Sequence, residues 1–431
     1  MSDDGSSLQG EEILNLREII RAFIRKIRIV LYVALALVGW MPLEAQGGPQ
    51  RPELRVSRID RDIRIDGRLD EPEWSSADSI ANLTQIDPVE GARPTGTTVV
   101  RVLATADALI VGIRADDPEP HRITSFARER DASLGNEDHV RIVLDTYLDG
   151  RSGYVFMVNP NGSRFDALIT SNGEGEDSNW DSVWEAATSR GANGWSAEIR
   201  IPAKSLLFRR GLSEWGFNVQ RRIQRLQEND RWASPDRDVK INQMSRGGLL
   251  TGIPPFDLGV GLSVRPSVKG SIGIPAAGVA VRRENDASLD ATQRVGANTL
   301  ASLTVNTDFA ETEVDTRRTN LTRFPLFFPE KRTFFLEGSD IFAFGLGTGD
   351  DVRPFFSRRI GLLSGTEVPL DVGTKVNGRQ GGTNYGALIV RTGDVDTLRT
   401  ESTMGVIRVK QNVLNESSVG VIGSFGDPLG R

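Results

Sequence analysis

The segment Trp195-Ser-Ala-Glu-Ile-Arg-Ile201 alternates apolar and polar residues without a break. That period of two fits a half-buried strand, with Trp195, Ala197, Ile199 and Ile201 on one face and Ser196, Glu198 and Arg200 on the other. Trp215-Gly-Phe-Asn-Val-Gln-Arg221 repeats the scheme, with Trp215, Phe217 and Val219 inward. Residues 99–103 and 109–114 flank Thr105-Ala-Asp-Ala108 and read as a hairpin. Residues 140–145 and 154–158 alternate on either side of the Asp149-Gly150 turn. Between Glu53 and Gly252, only 203–208 hints at a short helix. Many short strands without interleaved helices predict an antiparallel sandwich.

Composition narrows the chemistry. The 431 residues include 45 Gly, 2 His and no Cys, with a formal net charge of -6 and pI ≈ 5.3. Absence of Cys removes thiolate metal sites, Cys nucleophiles and disulfides, and two His leave little room for a multi-His metal centre. The acidic balance argues against nucleic acid as a partner, which needs a basic face. Abundant Gly favours β-structure.

The N-terminus reads as an export signal. Arg21, Arg25, Lys26 and Arg28 precede the apolar run 29–38. Ten residues fall short of the ~20 a spanning helix needs and suit a signal-peptide core. Ala45 stands at the last removed position, with Leu43 two residues before it, so residues 1–45 form a signal peptide with a long polar leader; an uncut signal anchor is the alternative.

Several motifs follow one another in order: Ile65-Asp-Gly-Arg-Leu-Asp-Glu-Pro-Glu-Trp74, Asn136-Glu-Asp138 before a strand ending Leu144-Asp-Thr146, and Gly194-Trp-Ser-Ala-Glu-Ile-Arg-Ile-Pro202. Over residues 55–250 the chain resembles carbohydrate-binding module family 9. The resemblance implies a jelly-roll or immunoglobulin-like β-sandwich over 46–252 that binds polysaccharide or oligosaccharide, clamping a sugar between two tryptophans. Trp232 stands where the later stacking tryptophan belongs. The 133–136 loop, expected to hold the other, has no aromatic. Arg141 occupies the place of a sugar-binding carboxylate, and Met157 that of an Arg. Trp180 and Trp184, four apart, share a face if their segment is a strand, and are read either as ligand contacts or as core. Trp74, Trp195 and Trp215 are read as core. Trp232, Trp180, Trp184 and Arg141 are thus the candidate sugar-binding residues.

Asp145, Asp149 and Asp177 are candidate oxygen ligands for a structural calcium ion, a hard cation suited to acidic loops, although their spacing matches no known calcium loop. His121 and His139 are read as surface or strand-edge residues. Glycoside cleavage needs two carboxylates about 5–10 Å apart; no spacing singles out such a pair, and no catalytic residue is assigned.

After Gly252 the pattern changes to alternating strands of about ten residues: 256–269, 296–306, 386–392, 403–411 and 418–425. In 299–306, Ala301, Leu303 and Val305 face one way and Ser302, Thr304 and Asn306 the other. This length and period predict the start of an antiparallel transmembrane β-barrel over 253–431. Asn306-Thr-Asp-Phe309, Asn320-Leu-Thr-Arg-Phe324, Phe327-Phe-Pro-Glu-Lys-Arg332, Phe334-Phe-Leu-Glu-Gly-Ser-Asp-Ile-Phe342 and Pro354-Phe-Phe-Ser-Arg-Arg359 resemble an uncharacterised barrel-type domain that follows family 9-like modules in Gram-negative envelope proteins. Adjacent Phe pairs beside Glu330, Arg332, Glu337, Arg358 and Arg359 predict either an inward-folded plug or an aromatic girdle at the membrane interface; charge at this density favours the inward form. About eight candidate strands and no aromatic final strand point to a truncated barrel.

The expected protein is all-β, exported to the outer membrane, with lipid and glycan as partners and the sandwich periplasmic or surface-exposed. Non-catalytic glycan capture beside the barrel is the leading function. A glycan-degrading O-glycosyl hydrolase or accessory in carbohydrate catabolism is the alternative, and a sugar-free scaffold or plug the second.

Overall fold

A computed structural model describes residues 51–170, 173–273, 282–306, 332–342, 354–363, 366–394, 401–413 and 417–426, with Glu330 and Phe344. The leader, residues 1–45, and the motifs at 307–309, 320–324 and 327–329 lie outside the described residues.

Two sheets make the sandwich. The larger has nine strands, in the order Glu53–Arg55, Gly248–Thr251, Glu214–Ile223, His139–Asp145, Gly153–Val158, Arg164–Thr170 and Gly175–Asp177, with Glu228–Arg231 and Thr84–Asp87 continuing beside Glu214–Ile223. The smaller has six: Glu185–Gly191, Gly194–Pro202, Ala108–Asp116, Thr98–Ala104 and Ser57–Arg58, with Ser79–Ile80 beside Thr98–Ala104. The predicted hairpin is formed, with Thr98 opposite Ala115 and Ala104 opposite Leu109. The helix hint at 203–208 is one 3-10 turn, Ala203–Ser205. Between the sheets Val102, Val111, Ala197 and Ile199 meet Ile142, Phe156, Phe217 and Val219, all fully buried. The read alternation therefore builds this core by removing apolar area from water at ~25 cal/mol per Å².

Both outer faces are covered too. The short helix Pro72–Ser76 lays Trp74 with Ile63 onto Leu103 and Ile110 of the smaller sheet. Leu134, Ile241 and Met244 close over Val143, Val155, Ala167 and Ile169 of the larger.

After the sandwich, seven strands form one antiparallel meander: Leu262–Gly273, Arg282–Val295, Thr299–Val305, Leu370–Gln380, Thr383–Thr392, Ser402–Val413 and Ser417–Phe425. Two of them, Arg282–Val295 and Leu370–Gln380, are strands the sequence pattern did not predict. The sheet is open among the described residues, and no closed barrel is formed there.

Its amphipathicity is the reverse of the sandwich's. One rung crosses all seven strands as Val264, Ala291, Leu303, Thr374, Ile389, Gly405 and Phe425. The rung two residues on reads Leu262, Gln293, Ala301, Val376, Ala387, Ile407 and Gly423. Neither carries a charge, and Val264, Leu303, Ile389, Ile407 and Phe425 are exposed. The rung between them, Ser263, Thr292, Ser302, Lys375, Leu388, Val406 and Ser424, belongs to the other face. There Ser302, Thr304, Lys375 and Asn377 are buried.

The described part of the charged Phe-rich segment packs on the face opposite the uncharged rungs. Phe334, Phe335, Phe342 and Ile360 cluster with Leu370, Leu388, Val390 and Val406. Buried Arg332 pairs with Glu330 at 2.8 Å, donates to the Ile360 carbonyl at 2.8 Å, and lies 4.2 Å from the Phe335 ring centre. The Lys375 ammonium donates to the carbonyls of Phe334 and Glu337.

Candidate functional site

The structure places the predicted tryptophans inside. Trp232 is only 6% exposed, lies 5.9 Å from Phe217 ring to ring, and covers Gly248 so closely that a Cβ there would come within 2.3 Å of the indole. A stacking tryptophan needs an exposed ring, and Trp232 offers almost none of its ring to solvent, which corrects its reading as a sugar-stacking residue. Its neighbours Asp230 and Arg231 are buried as well, Arg231 donating to Gln220 at 3.0 Å and to the Ser234 carbonyl at 3.3 Å.

Trp180 and Trp184 lie outside any strand, yet both rings turn to the core. Trp184 meets Phe156 at 5.1 Å and donates its indole N–H to Asp166 at 3.0 Å. Asp166 also receives the Ser182 amide at 2.7 Å and Arg130 at 2.9 Å, and burial raises its carboxyl to about 6. Trp180 lies 5.0 Å from Tyr154. Trp74, Trp195 and Trp215 are buried in the core, as read.

Arg141 is half-buried on the outer face of the larger sheet. It pairs with Glu176 and donates to Asn242 Oδ1 at 2.6 Å, while Asn242 donates to Glu176 at 2.7 Å. Although burial opposes it, Arg141 holds the Glu176 carboxyl below its ordinary value. This closed triad leaves Arg141 and the three tryptophans as separate features; the sandwich does not gather them into one platform.

The calcium candidates have other partners. Asp145, fully buried, accepts the amides of Gly150 at 2.7 Å and Tyr147 at 3.1 Å; burial first, then neighbouring Asp149, pushes its carboxyl up. Asp149 caps the next turn through the amides of Arg151 at 2.9 Å and Ser152 at 3.1 Å. Asp177 accepts from Asn179 and, at 3.3 Å, from Ser339. Among the described residues, no group of three or more acidic or histidine side chains could hold a metal ion. His139, read as a surface or edge residue, is buried at the start of its strand, and burial lowers it to about 4. His121 is exposed.

Glu198, read as solvent-facing, is fully buried on the outer side of the smaller sheet. Its carboxylate accepts the amides of Asp66 and Gly67, both at 2.9 Å, and Trp74 Nε1 at 3.1 Å. Two of the sequence motifs are thereby tied together by one carboxylate. The combination of Asp-Gly, Trp and a strand Glu was the available signal.

A cavity of about 720 Å³ lies where the sandwich meets the seven-stranded sheet. Sequence reasoning missed it, because it forms between segments more than 100 residues apart. The sandwich side contributes Tyr147, Tyr154, Trp180 and Ser182; the sheet side contributes Asp290, Arg294, Ser302 and Arg379. Tyr147 and Ser182 are each 6% exposed, and neither hydroxyl has a hydrogen-bond partner among the described residues. The junction is held by arginines. Arg294 donates to the carbonyls of Leu206 at 2.8 Å and Lys204 at 2.7 Å, and Arg151 to that of Ser417 at 2.8 Å. Arg379 bonds Ser152 and Asp340 and stacks 4.9 Å over the Tyr147 ring.

Comparison with known proteins gives two kinds of similarity. A domain of unknown function, DUF5916, matches residues 297–377. Two solved structures of a carbohydrate binding module family 9 (CBM9) from Caldicellulosiruptor kristjanssonii, one in complex with cellotriose and one with glucose, are similar to this chain. Each is 17% identical and matched over 46% of this chain; the matches cover 92% and 94% of the modules, with TM-scores of 0.34 and 0.33. No curated protein gives a significant match.

Proposed function

We propose that this chain is a non-catalytic carbohydrate-binding envelope protein, whose seven-stranded sheet sets its outward face in the outer-membrane lipid and holds the sandwich at one end. The observation that carries the membrane half is the pair of uncharged rungs across seven strands, interleaved with a rung bearing Lys375 and buried Ser302. In water this arrangement is unfavourable, since it exposes valines and isoleucines and buries polar groups. Against lipid it is the expected order, and strands of 7 to 14 residues bracket the ~9–11 needed to cross.

Chain lengths between strands support a periplasmic sandwich. Three residues separate Val295 from Thr299, two separate Gln380 from Thr383, and three separate Val413 from Ser417. These short connections lie at the sandwich end, where Arg294, Arg379 and Ser417 make the junction. The opposite connections are longer, eight residues after Gly273 and nine after Thr392. Outer-membrane strands are joined by short turns on the periplasmic side and longer loops outside. The glycan half of the reading rests on the motif resemblance of residues 55–250.

The test is fractionation and binding with the full chain. Expressed with its leader in a Gram-negative host, it is expected in outer membranes and resistant to alkaline carbonate extraction. Replacing Ile389 and Ile407 with Lys puts two charges on the lipid face, each costing up to ~2–4 kcal/mol near the midplane, and is expected to release it. Recovery of the wild type as a detergent-free soluble monomer would refute the membrane half. Failure of the membrane-extracted chain to bind xylan, glucan, mannan, pectin or peptidoglycan fragments would refute the glycan half and leave a scaffold.

A further inference from the structure

We infer that the junction cavity, rather than any tryptophan platform on the sandwich, is the site that takes a neutral oligosaccharide; this deepens the carbohydrate reading above and rests on it. Four features of the cavity carry the inference. Its volume of about 720 Å³ falls within the ~300–1,000 Å³ typical of ligand sites. Tyr154 and Trp180, 5.0 Å apart, give it an aromatic wall suited to the C–H face of a pyranose.

Tyr147 and Ser182 are buried residues lining the cavity, and their hydroxyls have no hydrogen-bond partner among the described residues. A buried unpaired hydroxyl is costly, and although each oxygen is covered as the side chains stand, a small rotation of either side chain lets a polyhydroxylated ligand pair with it. The charges are mixed: six carboxylates and four cationic side chains line the space. A phosphate or another anion would meet a slight excess of negative charge. A neutral sugar, hydrogen-bonding to both signs, fits better.

The alternatives on the sandwich are closed. Trp232 and Trp184 are buried in the core, Trp180 reaches only the junction cavity, and Leu134, Ile241 and Met244 seal the outer face of the larger sheet. Because the cavity is walled from both sides, its occupant touches the sandwich and the sheet together. Capture is thereby placed at the junction of the two.

The experiment is titration calorimetry of the full chain in detergent micelles with oligosaccharides from xylan, glucan, mannan and pectin, and with peptidoglycan fragments. Tyr147→Phe combined with Ser182→Ala deletes the two hydroxyls and little volume. Ser263→Trp fills the cavity from the sheet side. Each is expected to weaken binding of the responding oligosaccharide at least about tenfold, with Phe126→Ala, at an exposed ring elsewhere on the sandwich, as the unaffected control. Binding that survives both cavity changes but falls in Arg141→Ala would overturn the inference and move the site to the larger sheet's outer face. If the wild type binds none of these probes, the carbohydrate reading itself fails, and the cavity assignment with it.

Discussion

Asp230→Asn should stabilise the sandwich, and increasingly so as pH rises. Asp230 is fully buried and lies opposite Arg221 on the neighbouring strand. Arg221, equally buried, already donates to the Asp116 carbonyl at 2.8 Å and Thr98 Oγ1 at 3.2 Å, and lies 4.0 Å from Asp117. Burial and nearby Glu228 outweigh Arg221 and push the Asp230 carboxyl up to about 8. A carboxyl whose folded value is raised holds its proton more tightly in the fold than in the unfolded chain. Its contribution is therefore complete below pH ~4 and is lost as pH rises toward 8. Asparagine cannot lose that proton. The variant's advantage starts near zero at pH 4 and grows by up to about 1.4 kcal/mol per pH unit, which gives a ceiling of about 4 kcal/mol at pH 7. Solvent relaxation lowers this to roughly 2–4 kcal/mol. The assay is urea denaturation of both proteins at pH 4.5, 6 and 7.5, followed by tryptophan fluorescence. Six of the seven tryptophans belong to the sandwich, so the signal reports it. A variant less stable than wild type, by a margin that widens with pH, would refute the reasoning. Asp230 would then be an ionised partner of Arg221, whose removal costs about 3–5 kcal/mol.

Glu198→Ala leaves two amides and the Trp74 indole N–H without their acceptor, and should cost about 3 kcal/mol in the same denaturation assay, with Glu198→Gln falling between. Trp232→Ala should lose ~3–5 kcal/mol as a core truncation, while Trp232→Phe should keep glycan binding, measured by calorimetry, at the wild-type level. Gly112→Ala puts a methyl group 2.6 Å from the Trp74 ring; the overpacking should lower stability by ~1–3 kcal/mol, seen as a lower denaturation midpoint.

Strand faces were legible wherever one face met a core. The 195–201 and 215–221 alternations give the burial pattern they predict at Trp195, Ala197, Ile199, Ile201, Trp215, Phe217 and Val219. Glu198 breaks the simple reading, because the smaller sheet's outer face is covered by the Pro72–Ser76 helix, and polar residues on a covered face need partners. In the second half, the 299–306 alternation was read correctly as a period, but period does not say which side is inside. The sign comes from the partners: Ser302 and Thr304 are buried, while Leu303 and Val305 are exposed. Arg282–Val295 escaped prediction because its charges interrupt the apolar count; Asp290 and Arg294 serve the inner face and the junction.

The site was less legible than the fold, for a reason visible at Asp230-Arg231-Trp232. Two charges beside an indole suggest an exposed ring only if the charges themselves need water. Here Arg231 donates to Gln220 and to backbone carbonyls, Asp230 has Glu228 and Arg221 as charged neighbours, and Glu228, Asp230 and Arg231 are all buried. Gln220 and Arg221 lie across the strand pair, so local polarity alone carried no information about exposure. The same logic explains the cavity. Tyr147 and Ser182 are ordinary residues in their own segments, and become notable only when the fold buries their hydroxyls, without a partner among the described residues, beside Arg379 and Trp180. A binding site of this kind is a property of the junction, where each segment alone shows a satisfied turn or strand and only the assembled pair shows what is left unpaired.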